Sequence, residues 1–78
     1  MKYVYFLECR DGKIYTGVTG NLDNRIKAHE KGEVNFTKTR LPVKLKSYVA
    51  FSDNQKAYDF ERYAKSGSGK AFSKKRLF

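Results

Sequence analysis

The stretch YVYFLECRDGKIYTGVTGNLDNRIKAH, residues 3–29, decides the fold. It contains two runs rich in aromatic and β-branched residues, separated by Cys9-Arg10-Asp11-Gly12-Lys13, and then a segment in which apolar residues recur at helical spacing. Aromatic and β-branched runs are typical of strands, and Asp-Gly between two of them is typical of a hairpin turn. The stretch therefore predicts a strand, a tight turn, a second strand and a helix.

Two hairpin registers are compatible with this turn. A two-residue Asp11-Gly12 loop would leave Tyr5 and Tyr15 on opposite faces of the sheet, because side chains alternate between faces along a strand. A three-residue loop over positions 10–12, with its glycine in the left-handed conformation, would instead pair Tyr5 with Gly17. We expect the second register, because it separates a tyrosine face from a largely aliphatic one. The aliphatic face would contain Val4, Phe6, Ile14, Thr16 and Val18.

The residues after the hairpin predict a helix, a loop and a third strand. Asn21 is a favourable N-cap for the helix and Gly32 a favourable stop. Residues 33–42 have no clear period, which predicts a loop. Alternation resumes in residues 43–51. One face of this strand would consist of Val43, Leu45, Val49 and Phe51, and the other of Lys44, Lys46, Tyr48 and Ala50.

A second helix is predicted near residue 52, where Ser52 and Gln55 fit a capping box. Its buried stripe would include Ala57 and Ala64, and the spacing places Glu61 in the same stripe. An inward carboxylate is seldom found without an ionic partner or a metal. Either an ion pair with an arginine or lysine or a metal site could explain it.

The C-terminal segment begins with Ser66-Gly67-Ser68-Gly69, which breaks the second helix. A flexible hinge is expected here, because the glycine spacing of a phosphate-binding loop is missing. Residues 70–78 predict a short helix anchored by Phe72. Its basic side chains would form either an arm that binds a nucleic-acid backbone or a solvated tail.

The charge is the strongest bulk property: 17 Lys and Arg against 8 Asp and Glu give a net charge of +9. This surplus favours a polyanionic partner, of which nucleic acid is the commonest, although solubility alone is an alternative. No acidic residue lies between Glu33 and Asp53 or after Glu61. Candidate nucleic-acid-binding residues in these segments are Lys38, Arg40, Lys44, Lys46, Lys70, Lys74 and Lys75.

Length and cysteine content limit the number of domains, the possible disulfides and the expected cellular location. The 78 residues predict one small domain, residues 1–78, close to the lower size limit for a single hydrophobic core. Cys9 is the only cysteine, which excludes an intramolecular disulfide and fits a reducing cytoplasm. There is no apolar run long enough for a signal peptide or a membrane span, so we expect a soluble, cytoplasmic protein with no membrane partner.

Five residues form a candidate site for cutting a phosphodiester: Tyr5, Tyr15, Arg25, His29 and Glu61. The reaction requires a base that activates water and a cation at the phosphorus. Arg25 offers a planar fork for phosphate, and a single inward carboxylate at Glu61 suits magnesium. A tyrosine needs a proton acceptor to work as a base at neutral pH, and His29 is the candidate.

The sequence resembles the GIY-YIG nuclease superfamily, in particular small stand-alone members related to the catalytic domain of bacterial nucleotide-excision-repair endonucleases. The likeness covers essentially the whole chain. It is carried by Tyr3-Val4-Tyr5, Tyr15-Thr16-Gly17, residues 21–29, Phe36-Thr37-Lys38 with Arg40 and Pro42, Phe60-Glu61 and residues 65–72. Tyr3 stands where the family name has glycine. No asparagine is found around Ser73, where larger relatives have one.

The resemblance implies an α+β fold, with a three-stranded antiparallel sheet flanked by helices, and metal-dependent endonuclease activity on DNA, as in DNA repair. Tyr5 would be the general base or would orient the water, and His29 would take its proton. Tyr15 would position the water or the phosphate, and Arg25 would stabilise the transition-state charge. Glu61 would be the sole protein ligand of one Mg²⁺ or Mn²⁺, with no small-molecule cofactor.

A competing interpretation is a non-catalytic nucleic-acid-binding module. The tyrosines would then pack one face of a sheet, and the helix dipole would favour a surface histidine near the end of the first helix. Both interpretations leave the preferred DNA structure and the oligomeric state open.

Overall fold

The computed structural model describes all of residues 1–78 and contains one three-stranded sheet and three helices. Strand β1 is central and pairs antiparallel with β2 on one side and β3 on the other. The elements in chain order are β1 (Lys2–Glu8), β2 (Ile14–Thr19), α1 (Leu22–Glu30), β3 (Lys44–Phe51), α2 (Asn54–Ala64) and α3 (Gly67–Arg76). The predicted α+β fold is confirmed. None of the helices combines the length and the apolar character that a membrane crossing requires.

The hairpin has the register with the three-residue loop. Tyr5 lies opposite Gly17, and the Cys9 N–H donates to the Lys13 carbonyl oxygen at 2.8 Å. Gly12 has φ +85°, the left-handed conformation that a residue with a Cβ rarely adopts. The turn therefore fixes which side chains share each face, as expected from its sequence.

Strand β3 contains a β-bulge that the alternation of its sequence conceals. Leu45 lies opposite Leu7 and Val49 opposite Val4, with a register shift between Phe6 and Leu7. Because paired residues share a face and Leu7 and Val4 point to opposite faces of β1, Leu45 and Val49 also lie on opposite faces. The predicted common face for these residues is wrong. The extra residue of the bulge is Lys46.

The hydrophobic core lies between α2 and the aliphatic face of the sheet. Val4 and Phe6 of β1 pack against Ala57 and Ala64 of α2. Around these four residues pack Ile14, Val18, Phe51, Phe60 and Leu77. Helix α1 follows β2 directly and covers the tyrosine face instead, where His29 contacts Tyr5. The sheet therefore separates a core layer from a polar layer.

The helix caps confirm one prediction and correct another. The Asn21 side chain accepts a hydrogen bond from the Asn24 N–H and caps α1. At α2 the cap is Asp53 rather than Ser52, because the Asp53 carboxylate accepts from the N–H groups of Gln55 and Lys56. A charged oxygen at the positive end of the helix dipole explains the preference.

The glycine-rich segment before the C-terminus is helical, so the predicted hinge is wrong. Ser66 caps α3 by accepting from the Gly69 N–H, and Gly67 to Gly69 form the first turn. Phe72 is largely exposed, whereas Gly69 and Ser73, one helical turn apart, are buried. Gly69 and Ser73 bring α3 close to the rest of the protein, and Leu77 packs against the core. The predicted anchor, Phe72, instead lies with its ring 6.1 Å from that of the exposed Tyr63.

Candidate active site on the tyrosine face

Tyr5 is the centre of the site, and Gly17 makes room for it. Tyr5 is fully buried although it carries a hydroxyl group. A Cβ built on Gly17 would lie 2.6 Å from the Tyr5 hydroxyl oxygen and 2.7 Å from its ring carbon Cζ. The phenol therefore crosses the backbone of β2 at a position where only glycine fits. This close approach requires the Tyr5–Gly17 pairing that the turn sets.

A chain of hydrogen bonds links α1, β1 and the loop that follows α1. The Nε–H of Arg25 donates to the Tyr5 hydroxyl oxygen at 3.3 Å, and this hydroxyl lies 2.9 Å from Nε2 of His29. On the other side of the imidazole, Nδ1 lies 2.7 Å from Oγ1 of Thr37. Arg25 and His29 are four residues apart, so both project from the same face of the helix onto Tyr5.

Arg25 can only donate hydrogen bonds, and this fixes the direction of every hydrogen bond in the chain. Arginine has no acceptor, so the Tyr5 oxygen accepts from Arg25 and its own proton is available for Nε2 of His29. A neutral His29 then carries its proton on Nδ1 and donates to Thr37. The chain therefore runs from the guanidinium through the phenol and the imidazole to a threonine hydroxyl.

Thr37 is a site residue that the sequence analysis did not assign. It is fully buried in a segment without periodic hydrophobicity, and its Oγ1 lies 3.5 Å from the Val34 carbonyl oxygen. The feature of the sequence that could have identified Thr37 as a site residue is its position in the Phe36-Thr37-Lys38 motif. By accepting from Nδ1, Thr37 sets the tautomer that leaves Nε2 free to accept a proton.

Tyr15 completes the cluster by packing rather than through a direct hydrogen bond. Its ring centroid lies 4.8 Å from that of His29 in an edge-to-face arrangement and 6.1 Å from that of Tyr5. On its outer side the ring meets Phe36 at 5.5 Å. Tyr15 is half-buried, so its position at the margin of the cluster leaves it accessible to a ligand.

Burial stabilises the uncharged form of both central groups. It raises the pKa of Tyr5 to about 12, although the hydrogen bond from Arg25 opposes the shift. Burial also lowers the pKa of His29 to about 4, and the nearby charge of Arg25 acts in the same direction. The hydrogen bond to Tyr5 is the main reason that the pKa of Arg25 is raised. The resting site therefore holds a phenol, a neutral imidazole and a guanidinium.

The lowered pKa of His29 predicts a titration that can be observed directly. His29 is the only histidine of the chain, so its ring signals in an NMR spectrum need no separate assignment. We expect these signals to stay constant from pH 8 down to about 5 and to move only towards the pKa of about 4. A midpoint near the ordinary value of about 6.5 would show an imidazole in contact with water and would contradict the hydrogen-bond chain.

The pKa shifts of His29 and Tyr5 also predict the pH ranges in which the free energy of unfolding changes. Below its ordinary pKa, His29 binds a proton in the unfolded chain but not in the folded one, so the free energy of unfolding should fall between about pH 6.5 and pH 4. At the alkaline end, unfolded Tyr5 loses its proton near pH 10 but folded Tyr5 keeps it to about 12, so stability should fall again across that interval. Urea unfolding at a series of pH values measures both declines.

Glu61 lies apart from this chain of hydrogen bonds. It belongs to α2, the helix that packs on the aliphatic face, and its carboxylate accepts from Nζ of Lys65 at 3.0 Å. The Glu61 side chain retains 21% of its exposure and the Lys65 side chain 55%, so the pair is open to water. Tyr5, Tyr15, Arg25 and His29 converge, whereas Glu61 makes no hydrogen bond or ion pair with any of them.

The donor set at Glu61 fits a magnesium-type ion better than a tightly chelated metal. The structure contains no group of three or more His, Cys, Asp or Glu side chains that could hold a metal ion. Mg²⁺ commonly uses one or two protein carboxylates and fills its other positions with water and substrate phosphate oxygens. A partly exposed carboxylate whose only partner is one flexible lysine can be recruited in this way.

The seven basic residues predicted to bind nucleic acid do not form one surface. Arg40 forms an ion pair with Asp11 at 3.1 Å and lies 4.3 Å from the centroid of the Phe36 ring, next to Tyr15. Lys46, Lys70 and Lys74 line a cavity on the opposite side of the sheet. The other three side chains, which are exposed, are Lys38, Lys44 and Lys75.

Comparisons with known proteins identify sequences and a structure of the same kind. The sequence model described as the GIY-YIG catalytic domain matches residues 1–76. A UPF0213 protein of Bacillus licheniformis is 44% identical over 69 residues, which cover 87% of this chain and 71% of the relative. A UPF0213 protein of Clostridium perfringens is 46% identical over 66 residues, covering 83% of this chain and 71% of the relative.

A solved structure supports the fold. The solution NMR structure of a UPF0213 protein from Bacillus halodurans has a TM-score of 0.63 and 36% sequence identity with this chain. The superposition covers 99% of this chain and 87% of that protein. The α+β fold described above is therefore shared with that UPF0213 protein.

Proposed function

The chain belongs to the GIY-YIG catalytic-domain family, a family of nucleases, and from this premise we propose that it is a metal-dependent DNA endonuclease of the cytoplasm. It would hydrolyse one strand at each active site. The observation that carries the proposal is the buried chain from Arg25 through Tyr5 to His29, with hydrogen bonds of 3.3 and 2.9 Å. A phenol placed between a fixed cation and a neutral imidazole can both accept and pass on a proton.

The protonation states support a coupled transfer. For this step, substrate binding must first admit a water molecule to the Tyr5 oxygen, which is fully buried in this structure. That water, placed at the phosphorus, would give a proton to the Tyr5 oxygen while the Tyr5 proton moves to Nε2 of His29, and the water oxygen would form the new bond to phosphorus. The bond between phosphorus and the leaving oxygen breaks, and that oxygen keeps the electron pair and takes a proton from solvent. Coupling avoids a free phenolate, which burial makes unfavourable. A bound phosphate would in turn raise the pKa of the imidazole, because negative charge favours its protonated form.

Arg25 and Tyr15 orient the substrate in this scheme. The Nε–H of Arg25 is used by Tyr5, and the remaining N–H groups of its guanidinium can contact phosphate oxygens where charge develops. Tyr15 lies at the outer margin of the cluster, in contact with Phe36. Its hydroxyl can hydrogen-bond the water or the phosphate, as the family resemblance implies.

Glu61 is the residue that would hold the divalent ion, Mg²⁺ or Mn²⁺. When bound, such an ion neutralises charge on the phosphate oxygens. The Glu61 carboxylate would exchange its hydrogen bond with Lys65 for this role. Lys65 is largely exposed and flexible, so its displacement requires no rearrangement of the core.

A substitution at Glu61 tests the metal requirement. We expect Glu61→Gln to lower magnesium-dependent cleavage of plasmid, branched or single-stranded DNA by at least about 10²-fold, because the charge that attracts the ion is lost while the side-chain shape is kept. Asp59→Asn is the matched control: Asp59 lies on the same helix, and its ion pair with Arg62 is exposed. Cleavage that persists in Glu61→Gln at every magnesium concentration would exclude this residue as the ligand.

The second candidate function is a non-catalytic nucleic-acid-binding module. The separation of Glu61 from the Tyr5 cluster and the net charge of +9 favour it. It predicts DNA binding that weakens steeply with salt, with a slope set by the number of phosphates neutralised, and that is unchanged in Glu61→Gln. No cleavage of any substrate with magnesium or manganese, together with such binding, would select this function.

A further inference from the structure

A cavity lies on the opposite side of the sheet from the Tyr5 cluster. Its volume is about 610 Å³, within the range of small-molecule sites. Its lining includes Phe6 and Ile14 of the aliphatic face together with residues of α3, and none of the five candidate catalytic residues. The lining also includes Phe36, whose ring packs on Tyr15, so the cavity adjoins the candidate active site around the edge of β2.

Four lysines from three parts of the chain line this cavity. Lys13 comes from the hairpin turn, Lys46 from β3, and Lys70 and Lys74 from one face of α3. None of the four forms an ion pair with a carboxylate, and the one carboxylate in the lining is Glu8. Four lysines against one carboxylate leave the cavity with a surplus of positive charge, which favours an anionic ligand.

The β-bulge explains how Lys46 reaches the cavity. In a regular strand this residue would alternate with its neighbours and share the face of Tyr48. A bulge puts two residues opposite one and can redirect a side chain. Here Lys46 is the extra residue beside Ser47, which lies opposite Phe6 on the aliphatic face. Together with Phe6, Lys46 lines the cavity.

A buried hydroxyl group supplies a second, independent indication of a ligand. Ser73 lines the cavity and is 2% exposed, and its Oγ is buried without a hydrogen-bond partner, as is Oγ of Ser47 outside the lining. Buried polar groups without a partner are unfavourable, so a ligand whose polar atom reaches Ser73 would satisfy its hydroxyl group. Phe36 and Phe78, each 40% exposed, add aromatic surface to the same cavity, and the Phe78 ring packs edge-to-face on Phe6.

We propose that this cavity binds one nucleotide, with its phosphate among Lys46, Lys70 and Lys74 and its base against Phe78. Ser73 donates a hydrogen bond to the nucleotide. The nucleotide is either free or the 5′-phosphorylated end of a strand, since both present the same phosphate and base. The site does not depend on cleavage at the Tyr5 cluster, so loss of the proposed nuclease activity leaves this proposal standing.

Binding is tested by NMR with ¹⁵N-labelled protein and deoxyadenosine 5′-monophosphate as the probe. We expect the amide signals of Lys46, Lys70, Ser73 and Lys74 to shift on addition of the probe, while those of Tyr5 and His29 stay in place. Deoxyadenosine and inorganic phosphate should each bind at least about tenfold more weakly, because each supplies only half of the contacts. Equal affinity for inorganic phosphate, or shifts confined to the Tyr5 cluster, would overturn the proposal.

Variants connect the binding to the named residues. Lys70→Gln with Lys74→Gln should weaken binding of the nucleotide at least about tenfold, because charge-assisted contacts to phosphate are lost. Lys31→Gln with Lys56→Gln removes the same charge from exposed positions outside the cavity and should change the affinity by less than about twofold. An equal loss in both pairs would mean unspecific attraction and would refute the site.

Ser73→Ala separates a ligand contact from a structural role. Because the Ser73 hydroxyl has no partner in the protein, its removal should leave the unfolding midpoint unchanged or raised while weakening nucleotide binding several-fold. Lowered stability with unchanged binding would refute the contact. A 5′-phosphorylated trinucleotide that binds more tightly than the mononucleotide identifies a strand end as the ligand, and the reverse order identifies a free nucleotide.

Discussion

Replacing Tyr5 with phenylalanine is expected to lower the rate of DNA cleavage by about 10²–10⁴-fold while leaving the fold intact. The substitution removes one oxygen atom from a fully buried ring and keeps the packing over Gly17. That oxygen is the only group that connects Arg25 to His29. Without it no proton can pass from the attacking water to the imidazole. The rate should fall in the chemical step and not in the binding of DNA.

The same variant has a smaller expected effect on stability. Its phenyl ring leaves Nε2 of His29 without a partner in a buried position, which costs on the order of 1–3 kcal/mol. Tyr48→Phe is the matched control, because Tyr48 lies opposite Tyr5 on the neighbouring strand and is largely exposed. Cleavage in Tyr5→Phe as fast as in Tyr48→Phe would rule out a proton-transfer role for the phenol. Single-turnover kinetics with chemical denaturation distinguishes the two effects.

Replacing Gly69 with alanine is expected to destabilise the protein by about 2–3 kcal/mol, the upper part of the range for overpacked positions. A Cβ at this position would overlap the carbonyl oxygen of Tyr63, a backbone atom that cannot rotate away. Alanine would otherwise favour the helix by about 0.5–1 kcal/mol over glycine. The clash therefore outweighs the gain in helix propensity, and the net effect of the substitution is a loss of stability. For a domain of this size the melting temperature should fall by about 10–20 °C.

A matched control is present at the first residue of α3. Gly67 lies in the same first turn of α3, and a Cβ there would meet no atom within 4 Å. Gly67→Ala should therefore be neutral or stabilising, since alanine restricts the unfolded chain more than glycine. Thermal unfolding of both variants compares their melting temperatures and tests this expectation. Equal melting temperatures would show that α3 can move away from α2 without loss.

The structure also changes how the surplus of basic residues is interpreted. The sequence predicts seven basic residues that bind nucleic acid, and the fold distributes them over both faces of the sheet. Arg40 adjoins Tyr15 through Phe36, whereas Lys46, Lys70 and Lys74 line the cavity on the opposite side of the sheet. The two basic regions meet at the edge of β2, where Phe36 contributes to both.

The sequence by itself determined the features that depend on neighbours along the chain. The three-residue turn with Gly12 fixes the pairing of Tyr5 with Gly17, because turn chemistry and the alternation of side chains are local properties. The helical spacing of four places Arg25 and His29 together. These rules place Tyr5 and Tyr15 on one face of the hairpin and Arg25 and His29 on one face of the helix, whereas the α+β fold with its three-stranded sheet was implied by the family resemblance.

Only the tertiary structure decided the features that depend on partners distant in sequence. The bulge at Lys46 arises from pairing with β1, and strict alternation of residues 43–51 hides it. Thr37 reaches His29 from a loop without any period, and Gly69 is required by a carbonyl on another helix. Such contacts are set by the shape of the packed core, which no local pattern encodes.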